Sequence, residues 1–218
     1  MSGTTRGNEV RAQLVTAAIR LLAEGGPDAL QARKLAAEVG ASTMAVYTHF
    51  GGMAALTDAV AQEGFRRLSA CIDRIERTAD PVADLLSMAL AYRESAAAHP
   101  ELFSLMFRHV GAQKGSVADA IRSEDRSEAA AAFRMVLAAT ERAVAAGRIT
   151  GDALSAAAQV WSAVHGFVTL ELNGHFGPGD HAVADVLTPL AITLVVGLGD
   201  SPAAARASAG EARVTTTE

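Results

Sequence analysis

Apolar residues recur every three or four positions along almost the whole of this 218-residue chain. In residues 8–24, for example, Val10, Leu14 and Leu21 fall on one face of a helix, and Gly25-Gly26-Pro27 ends the pattern. No segment alternates apolar and polar residues as a half-buried strand would. Half of the residues are hydrophobic, which is enough for a substantial core. These features predict an all-α fold.

The breaks between the periodic segments predict nine helices. Glycine, proline and capping residues such as Ser42 and Asp152 separate one helix from the next. Pro189 falls inside the last apolar segment, where it predicts a kink. Residues 200–218 are mostly small or polar and have little to bury, so we expect a disordered tail. The predicted helices cover residues 8–24, 32–39, 42–50, 53–78, 80–99, a short segment around Phe103 and Phe107, 116–147, 152–175 and 181–198, with a loop at 111–115.

The two short helices at 32–39 and 42–50 have the arrangement of a helix-turn-helix, because Gly40 permits a left-handed turn between them. Leu35 and Ala36 are expected to face inward, and Val46 and Phe50 to anchor the second helix to the core. In DNA-binding proteins, the exposed side of the second helix lies in the major groove. The residues on that side of the second helix are Thr43, Met44, Tyr47, Thr48 and His49.

The distribution of charge points in the same direction. Residues 1–50 carry five basic and four acidic side chains and therefore a net charge of +1, whereas the rest of the chain carries −6 of the total of −5. A basic N-terminal part favours contact with the phosphate backbone of DNA, and the acidic remainder suits another role.

The helix-turn-helix segment resembles the TetR family of bacterial transcriptional regulators. The resemblance covers roughly residues 8–60 and rests on Leu35-Ala36, Gly40, Ser42, the run from Val46 to Phe50, and Leu56. It implies that Thr43 and Met44 meet base edges, while Tyr47, His49 and Arg33 hold phosphates. A tyrosine hydroxyl or an imidazole N–H can donate to a phosphate without reading sequence. The predicted DNA-binding residues are Arg33, Ser42, Thr43, Met44, Tyr47, Thr48 and His49.

One position departs from the family pattern. Members commonly carry a lysine three residues after the phenylalanine of this motif, and here that residue is Met53. We therefore expect one phosphate contact to be missing, although backbone N–H groups at the start of that helix remain available to an anion.

The C-terminal part carries a second motif, Trp161-x-x-x-His165-Gly166, followed by Leu170-Glu171-Leu172. Together with His99 to Phe103 it resembles the TetR subfamily whose C-terminal domain is named after Trp, His and Gly, over approximately residues 80–198. The resemblance implies a homodimer formed through the last two predicted helices. The small Gly166 suits close approach of helices, and an apolar seam is available from Val183, Val186, Leu187, Leu190 and Leu194.

A small-molecule pocket is expected between the middle helices. Methionine and aromatic side chains at helical spacing supply an adaptable apolar lining, although such residues often form plain core. The candidate ligand-binding residues are Met88, Tyr92, Phe103, Met106, Phe107, Phe133, Leu137, Trp161 and His165. The resulting domains are a DNA-binding domain at 1–52, a helical sensing and dimerisation domain at 53–199, and the tail at 200–218.

Other classes of protein are less favoured by the sequence. Cys71 is the only cysteine, residues 1–10 lack the apolar stretch of a signal peptide, and the most apolar run, Pro189 to Gly199, is too short to span a bilayer, so we expect a cytoplasmic protein. No nucleophile with a base and no glycine-rich phosphate loop indicates an enzyme, and no cofactor is predicted. Glu171 and His175, four residues apart, leave a metal-sensing regulator as an alternative, beside a helical small-molecule-binding protein. The family implies a repressor of transcription that a small apolar effector releases from a palindromic operator.

Overall fold

The computed structural model describes residues 2–112, 127–177 and 181–213. All regular structure in these residues is helical, which confirms the predicted all-α architecture. The described residues form two compact units. The first contains 2–67, 99–112 and 127–129, and the second contains 68–98, 130–177 and 181–213.

The first unit holds the helix-turn-helix. Its core consists of large side chains that are almost completely buried, including Leu14, Leu22, Val46, Leu56 and Phe65. Gly40 has a φ of 63°, so the predicted left-handed turn is present. The helices are α1 (Ser2–Gly25), α2 (Ala32–Glu38), α3 (Met44–Phe50), α4 (Met53–Asp73, of which 53–67 lie in this unit) and α6 (Pro100–Ala112), with a 3₁₀ turn at Pro27–Ala29.

The second unit is a separate helical bundle with its own apolar core. Val82 and Leu85 pack with Ala143, Ile149 and Val195 there, all of them buried. Its helices are α5 (Pro81–Ala98), α7 (Glu128–Ala145, with 128–129 in the first unit), α8 (Ala153–Leu172), α9 (Thr188–Gly197) and α10 (Pro202–Glu211). The division of the chain differs from the predicted boundary after residue 52, because residues 53–67 supply core side chains such as Leu56 to the first unit.

Several helix ends differ from the expectation. Helix α1 begins at Ser2 rather than Asn8, and α4 ends at Asp73 rather than Thr78. The predicted capping of α3 by Ser42 is wrong: the N-cap residue is Thr43, without a side-chain capping bond, and Ser42 instead accepts from the Ala45 N–H through its backbone carbonyl. Asp152 does cap α8, accepting from the Ser155 N–H at 2.8 Å. The predicted helix start at Ser116 and most of the loop before it lie outside the described residues.

Pro189 disturbs the last apolar segment, and it does so by changing the hydrogen-bonding pattern. A π-helical turn covers Val183–Leu187, and α9 follows with Pro189 as its second residue. In the first turn of an α-helix the missing N–H of proline has no intrahelical partner to lose, so the residue is tolerated there.

The prediction of a disordered tail is wrong for Pro202–Glu211, which form α10. Ser201 caps this helix by accepting from the Ala204 N–H at 3.1 Å. Ala205 and Ser208 are completely buried against the second unit. The helix at 181–198 is therefore not the last one in the chain.

One described helix, Ala153–Leu172, is long and apolar enough by composition to cross a membrane. Its side chains nevertheless take part in the packing of the second unit. Phe167 and Val168 are buried, and Glu171 forms an ion pair with Arg93 of α5. These contacts are those of a core helix in a folded bundle.

Candidate DNA-binding surface and ligand site

Helix α3 separates its side chains into a buried side and an exposed side. Val46 is fully buried, whereas Met44 and Tyr47 are 66% and 54% exposed. Ser42, Thr43 and Thr48 are exposed as well, and Arg33 is exposed on α2. The predicted DNA-reading residues are thus accessible to a partner, with one reservation at His49, which is half-buried.

Thr48 has a local use for its hydroxyl. Its Oγ1 donates to the backbone carbonyl of Met44 at 2.9 Å, one turn earlier in α3. The hydroxyl proton is therefore engaged within the helix, and towards DNA this oxygen serves best as an acceptor. This geometry suits a base amino group better than a phosphate oxygen.

Arg11 stands next to this surface, although sequence spacing gives no hint of it. Its guanidinium carbon lies 4.8 Å from the ring centroid of Phe50, the last residue of α3. Such a cation–π contact fixes the direction of an otherwise mobile side chain. Arg11 and Phe50 are far apart in the sequence, so only the packing of α1 on α3 reveals the pair.

The Trp-x-x-x-His motif of α8 converges on one tyrosine of α5. The Tyr92 hydroxyl lies 2.8 Å from His165 Nδ1. Trp161, one turn before His165, packs its ring on Phe133 of α7 with centroids 5.0 Å apart. Burial raises the pKa of the Tyr92 hydroxyl above its ordinary value, which a hydrogen bond with Trp161 opposes. Burial lowers the pKa of His165, so at neutral pH this cluster is uncharged.

A charged pair lies on the same two helices. Arg93 of α5 donates to both carboxylate oxygens of Glu171 on α8, with distances of 2.8 to 3.1 Å. Both side chains are largely buried. The pair bears on the alternative of a metal site, because the Glu171 carboxylate is already engaged by an arginine and His175 is exposed. In the described ranges no three histidine, cysteine, aspartate or glutamate side chains cluster as metal ligands would.

The structure divides the nine predicted ligand-binding residues between the two units. Phe103, Met106 and Phe107 belong to the first unit, where they pack against α4. The Phe107 ring lies 5.3 Å from that of Phe65 and 4.8 Å from that of Phe103. At Gly64 of α4 an added Cβ would come within 2.6 Å of Met106 Sδ, so α4 and α6 are in close contact there. The remaining candidates belong to the second unit: Met88, Tyr92, Phe133, Leu137, Trp161 and His165.

Within the second unit, Met88 packs against the buried core cluster, and Leu137 is half-buried. A narrow apolar cavity of about 20 Å³ lies between α5, α8 and α9. It is smaller than the volume that one water molecule takes up in the liquid, and none of the nine candidates lines it. The polar cluster of Tyr92, Trp161 and His165 is therefore the better candidate for a ligand contact in this unit.

Helices α8 and α9 also present an exposed apolar surface. Leu170 is 45% and Leu190 37% exposed. Nothing lies within 4 Å of where a Cβ would stand on Gly166, so the surface of α8 is open there. Leu187, predicted as part of an intersubunit seam, is 2% exposed and belongs to the core of its own chain.

Two family models match the chain in order. Residues 14–60 match the model described as bacterial regulatory proteins, tetR family, and residues 85–194, half of the chain, match the tetracyclin repressor-like C-terminal domain. An uncharacterised helix-turn-helix transcriptional regulator of Mycobacterium tuberculosis is 28% identical over 189 residues, which are 86% of this chain and 81% of that protein.

Solved structures agree with these matches. A protein of unknown function from Rhodococcus sp. RHA1 has a TM-score of 0.72 at 31% identity, covering 88% of this chain and 96% of that one. RolR in complex with resorcinol has a TM-score of 0.65 at 20% identity, covering 94% and 95%, and so shares the fold. The narrower assignment to the Trp-His-Gly subfamily stays a prediction. Because both family models match in order on a helical chain with an exposed recognition helix, the protein belongs to the TetR family of bacterial transcriptional regulators.

Proposed function

We propose that this regulator is a repressor that binds a palindromic operator as a homodimer and leaves it when a small, mostly apolar effector binds. The observation that carries the proposal is the placement of exposed large apolar side chains. Among the described residues these are Met44 and Tyr47 on α3, and Leu170 and Leu190 on α8 and α9. Exposed apolar side chains that group together mark surfaces that a partner covers. One group suits DNA, and the other suits a second copy of the chain.

The DNA-binding part of the proposal follows from the size of α3. A helix from Met44 to Phe50 reaches few base pairs, so two copies are needed to specify a site. A symmetric dimer then requires an inverted repeat with half-site centres about 34 to 36 Å apart, or a multiple of that spacing. Such a regulator acts where the bacterial chromosome is, in the cytoplasm.

The dimer part rests on α8 and α9. Leu170 and Leu190 offer apolar area, and the open surface at Gly166 allows a neighbouring helix to approach closely. In a two-fold symmetric interface, each of these residues contributes twice. A single substitution therefore has a doubled effect on association.

The effector part rests on the cluster of Tyr92, Trp161 and His165. These side chains combine apolar rings with hydrogen-bonding groups, which is the composition of small-molecule sites. The nearby charges of Arg93 and Glu171 neutralise each other, so an uncharged ligand with one or two polar groups suits the site best. Since RolR was solved with resorcinol, small hydroxylated aromatics are a reasonable first set of compounds to test.

The first experiment measures binding of the purified full chain to the intergenic DNA next to its own gene, with a footprint to locate the operator. We expect a symmetric footprint, and higher expression of the adjacent gene when the regulator is deleted. A monomeric protein that protects a single half-site would contradict the dimer, and lower expression after deletion would indicate an activator.

The dimer surface is tested by Leu190→Glu, because a carboxylate at an apolar interface loses hydration without gaining a partner. We expect monomers in analytical ultracentrifugation and a loss of at least tenfold in operator affinity. The matched control is Ala207→Glu on α10, which adds the same charge at another exposed position. If both variants stay dimeric, the interface lies elsewhere.

A further inference from the structure

We propose that Arg11 contacts a DNA phosphate beside the recognition helix and supplies the positive charge that the sequence lacks at Met53. The inference rests on the DNA-binding surface described above and adds a residue from α1 to it. The basic residue expected three positions after Phe50 is absent, and Arg11 is held over the ring of that same phenylalanine.

The position of the guanidinium is set by the protein itself. With 4.8 Å between its central carbon and the Phe50 centroid, the group lies at the C-terminal end of α3. Arg11 is exposed, so this contact leaves edges of the planar group open to solvent. An arginine stacked on an aromatic ring in this way keeps several N–H donors for a planar or tetrahedral oxyanion.

The charge of Arg11 has no carboxylate partner in the part of the chain that the structure describes. Other arginines of the same unit do: Arg20 pairs with Glu38, and Arg66 with Glu63 at 2.6 Å. An exposed cation that is fixed in direction but not neutralised by its own chain is suited to an external anion. For a DNA-binding protein that anion is the phosphate backbone.

Arg11 also lies on the same side as a predicted phosphate ligand. Gly7, one turn earlier in α1, is adjacent to His49, since a Cβ built on it would lie 3.9 Å from His49 Cε1. Arg11 and His49 line one end of an open groove of about 660 Å³. The two basic groups are therefore neighbours at the end of α3.

Acidic side chains line the same groove, and their positions limit where an anion fits. Asp58 and Glu63 lie on α4, five and ten residues after its first residue, and so roughly 7 and 15 Å along that helix. Glu63 is engaged by Arg66 and Arg67, and Glu128 also lines the groove. The basic end of the groove is thus the end next to the recognition helix.

The test measures DNA affinity of the full-length protein as a function of salt, by fluorescence anisotropy between about 50 and 200 mM. The probes are the intergenic DNA beside the gene and a duplex of mixed sequence. Arg11→Gln removes the charge, Arg11→Lys retains it, and Arg20→Gln is a control that loses the same charge at an exposed position of the same helix. Thermal unfolding of each variant reports whether the fold is intact.

We expect Arg11→Gln to weaken binding to both duplexes. The plot of log K against log salt should become shallower by about 0.9 for each protomer, and so by about 1.8 for a dimer. Arg11→Lys should retain most of the slope, and Arg20→Gln should leave it unchanged. If Arg11→Gln lowers only the unfolding temperature and keeps the wild-type slope, Arg11 merely packs on Phe50 and the proposal is wrong. If the wild-type protein binds neither duplex, the proposed function fails together with it.

Discussion

At the scale of single residues, α3 shows how one turn of helix separates folding from recognition. Val46 is buried and holds the helix to the core, while Met44 and Tyr47 remain in solvent. Burying a methionine side chain is worth about 1.5 to 3 kcal/mol, and this chain forgoes that gain at Met44. The exposed methionine is best explained by a partner that covers it.

Tyr47 and Thr43 should respond differently to substitution. Tyr47→Phe removes only a hydroxyl that is placed to donate to phosphate, so operator and mixed-sequence DNA should both be bound roughly tenfold more weakly per contact. Thr43→Ala should instead change the preference among operator variants, by about 1 to 3 kcal/mol at the base pair concerned. Competitive binding to a set of single-base operator variants distinguishes the two. A change of sequence preference in Tyr47→Phe would mean that the faces of α3 are wrongly assigned.

His165 predicts a dependence of stability on pH. Burial lowers its pKa in the folded protein below the ordinary value of 6.5, so the unfolded chain takes up the proton first as the pH falls. The contribution to stability is neutral above about pH 6.5 and becomes unfavourable below it, by at most about 1.4 kcal/mol per pH unit until the folded pKa is reached. His165→Gln keeps a hydrogen-bonding group for Tyr92 but does not titrate. Urea unfolding at about pH 7.5 and 5.5 should therefore show a smaller loss of stability in His165→Gln than in the wild type, and equal losses would remove His165 as the cause.

At the scale of helices, the sequence predicted what local pattern determines and missed what distant contacts determine. The helix-turn-helix was found because its apolar spacing and Gly40 lie within one short segment. Helix α10 was missed because its buried residues are an alanine and a serine, which carry no apolar signal. For the ligand candidates, helical spacing identifies a face but not the neighbouring helix, so Phe103 and Met106 could not be separated from Tyr92 by sequence alone.

Polar contacts to distant residues hold α10 in place. Ser208 Oγ donates to Asp80 at 2.6 Å and accepts from Arg148 at 2.9 Å. Arg148 also binds both carboxylate oxygens of Asp200, each at 2.7 Å. Burial alone would raise the pKa of Asp80, but hydrogen bonds from Ser208, Ala83 and Val82 and the charge of Arg148 outweigh it, so that the pKa is lowered. This network joins three segments through charge-assisted hydrogen bonds.

Ser208→Ala should therefore destabilise the protein although it changes only one small side chain. The buried carboxylate of Asp80 loses a donor, which should cost about 1 to 3 kcal/mol of unfolding free energy in urea titrations. Arg206→Ala on the exposed side of α10 is the control and should change stability by less than about 0.5 kcal/mol. Both are compared at equal protein concentration, because dimerisation also contributes to stability. Equal stabilities of the two variants would show that α10 is not held by this network.

At the scale of the whole molecule, two compact units share one continuous helix. Residues 53–67 of α4 belong to the unit that carries α3, and residues 68–73 belong to the unit that carries Tyr92 and His165. A helix without an interruption bends little, because bending strains its backbone hydrogen bonds. A change in either unit that shifts its part of α4 is therefore felt by the other. This connection is the physical basis on which we expect an effector to alter DNA binding.

Trp161→Phe should test that coupling. The substitution keeps an aromatic ring against Phe133 but removes the indole N–H near the Tyr92 hydroxyl, so it changes the proposed effector contact and leaves α3 untouched. An effector can release DNA only through unequal affinity for the two states of the protein, and a coupling of about 1 to 3 kcal/mol corresponds to a 5- to 150-fold change in operator affinity. We expect the variant to bind operator like the wild type without effector, and to need a higher concentration of a hydroxylated aromatic for release. Met88→Leu, at a residue that packs against the core, is the control and should leave release unchanged. If an aromatic ligand binds the wild type tightly but never shifts operator affinity, the two units are not coupled and the protein is a constitutive DNA-binding regulator.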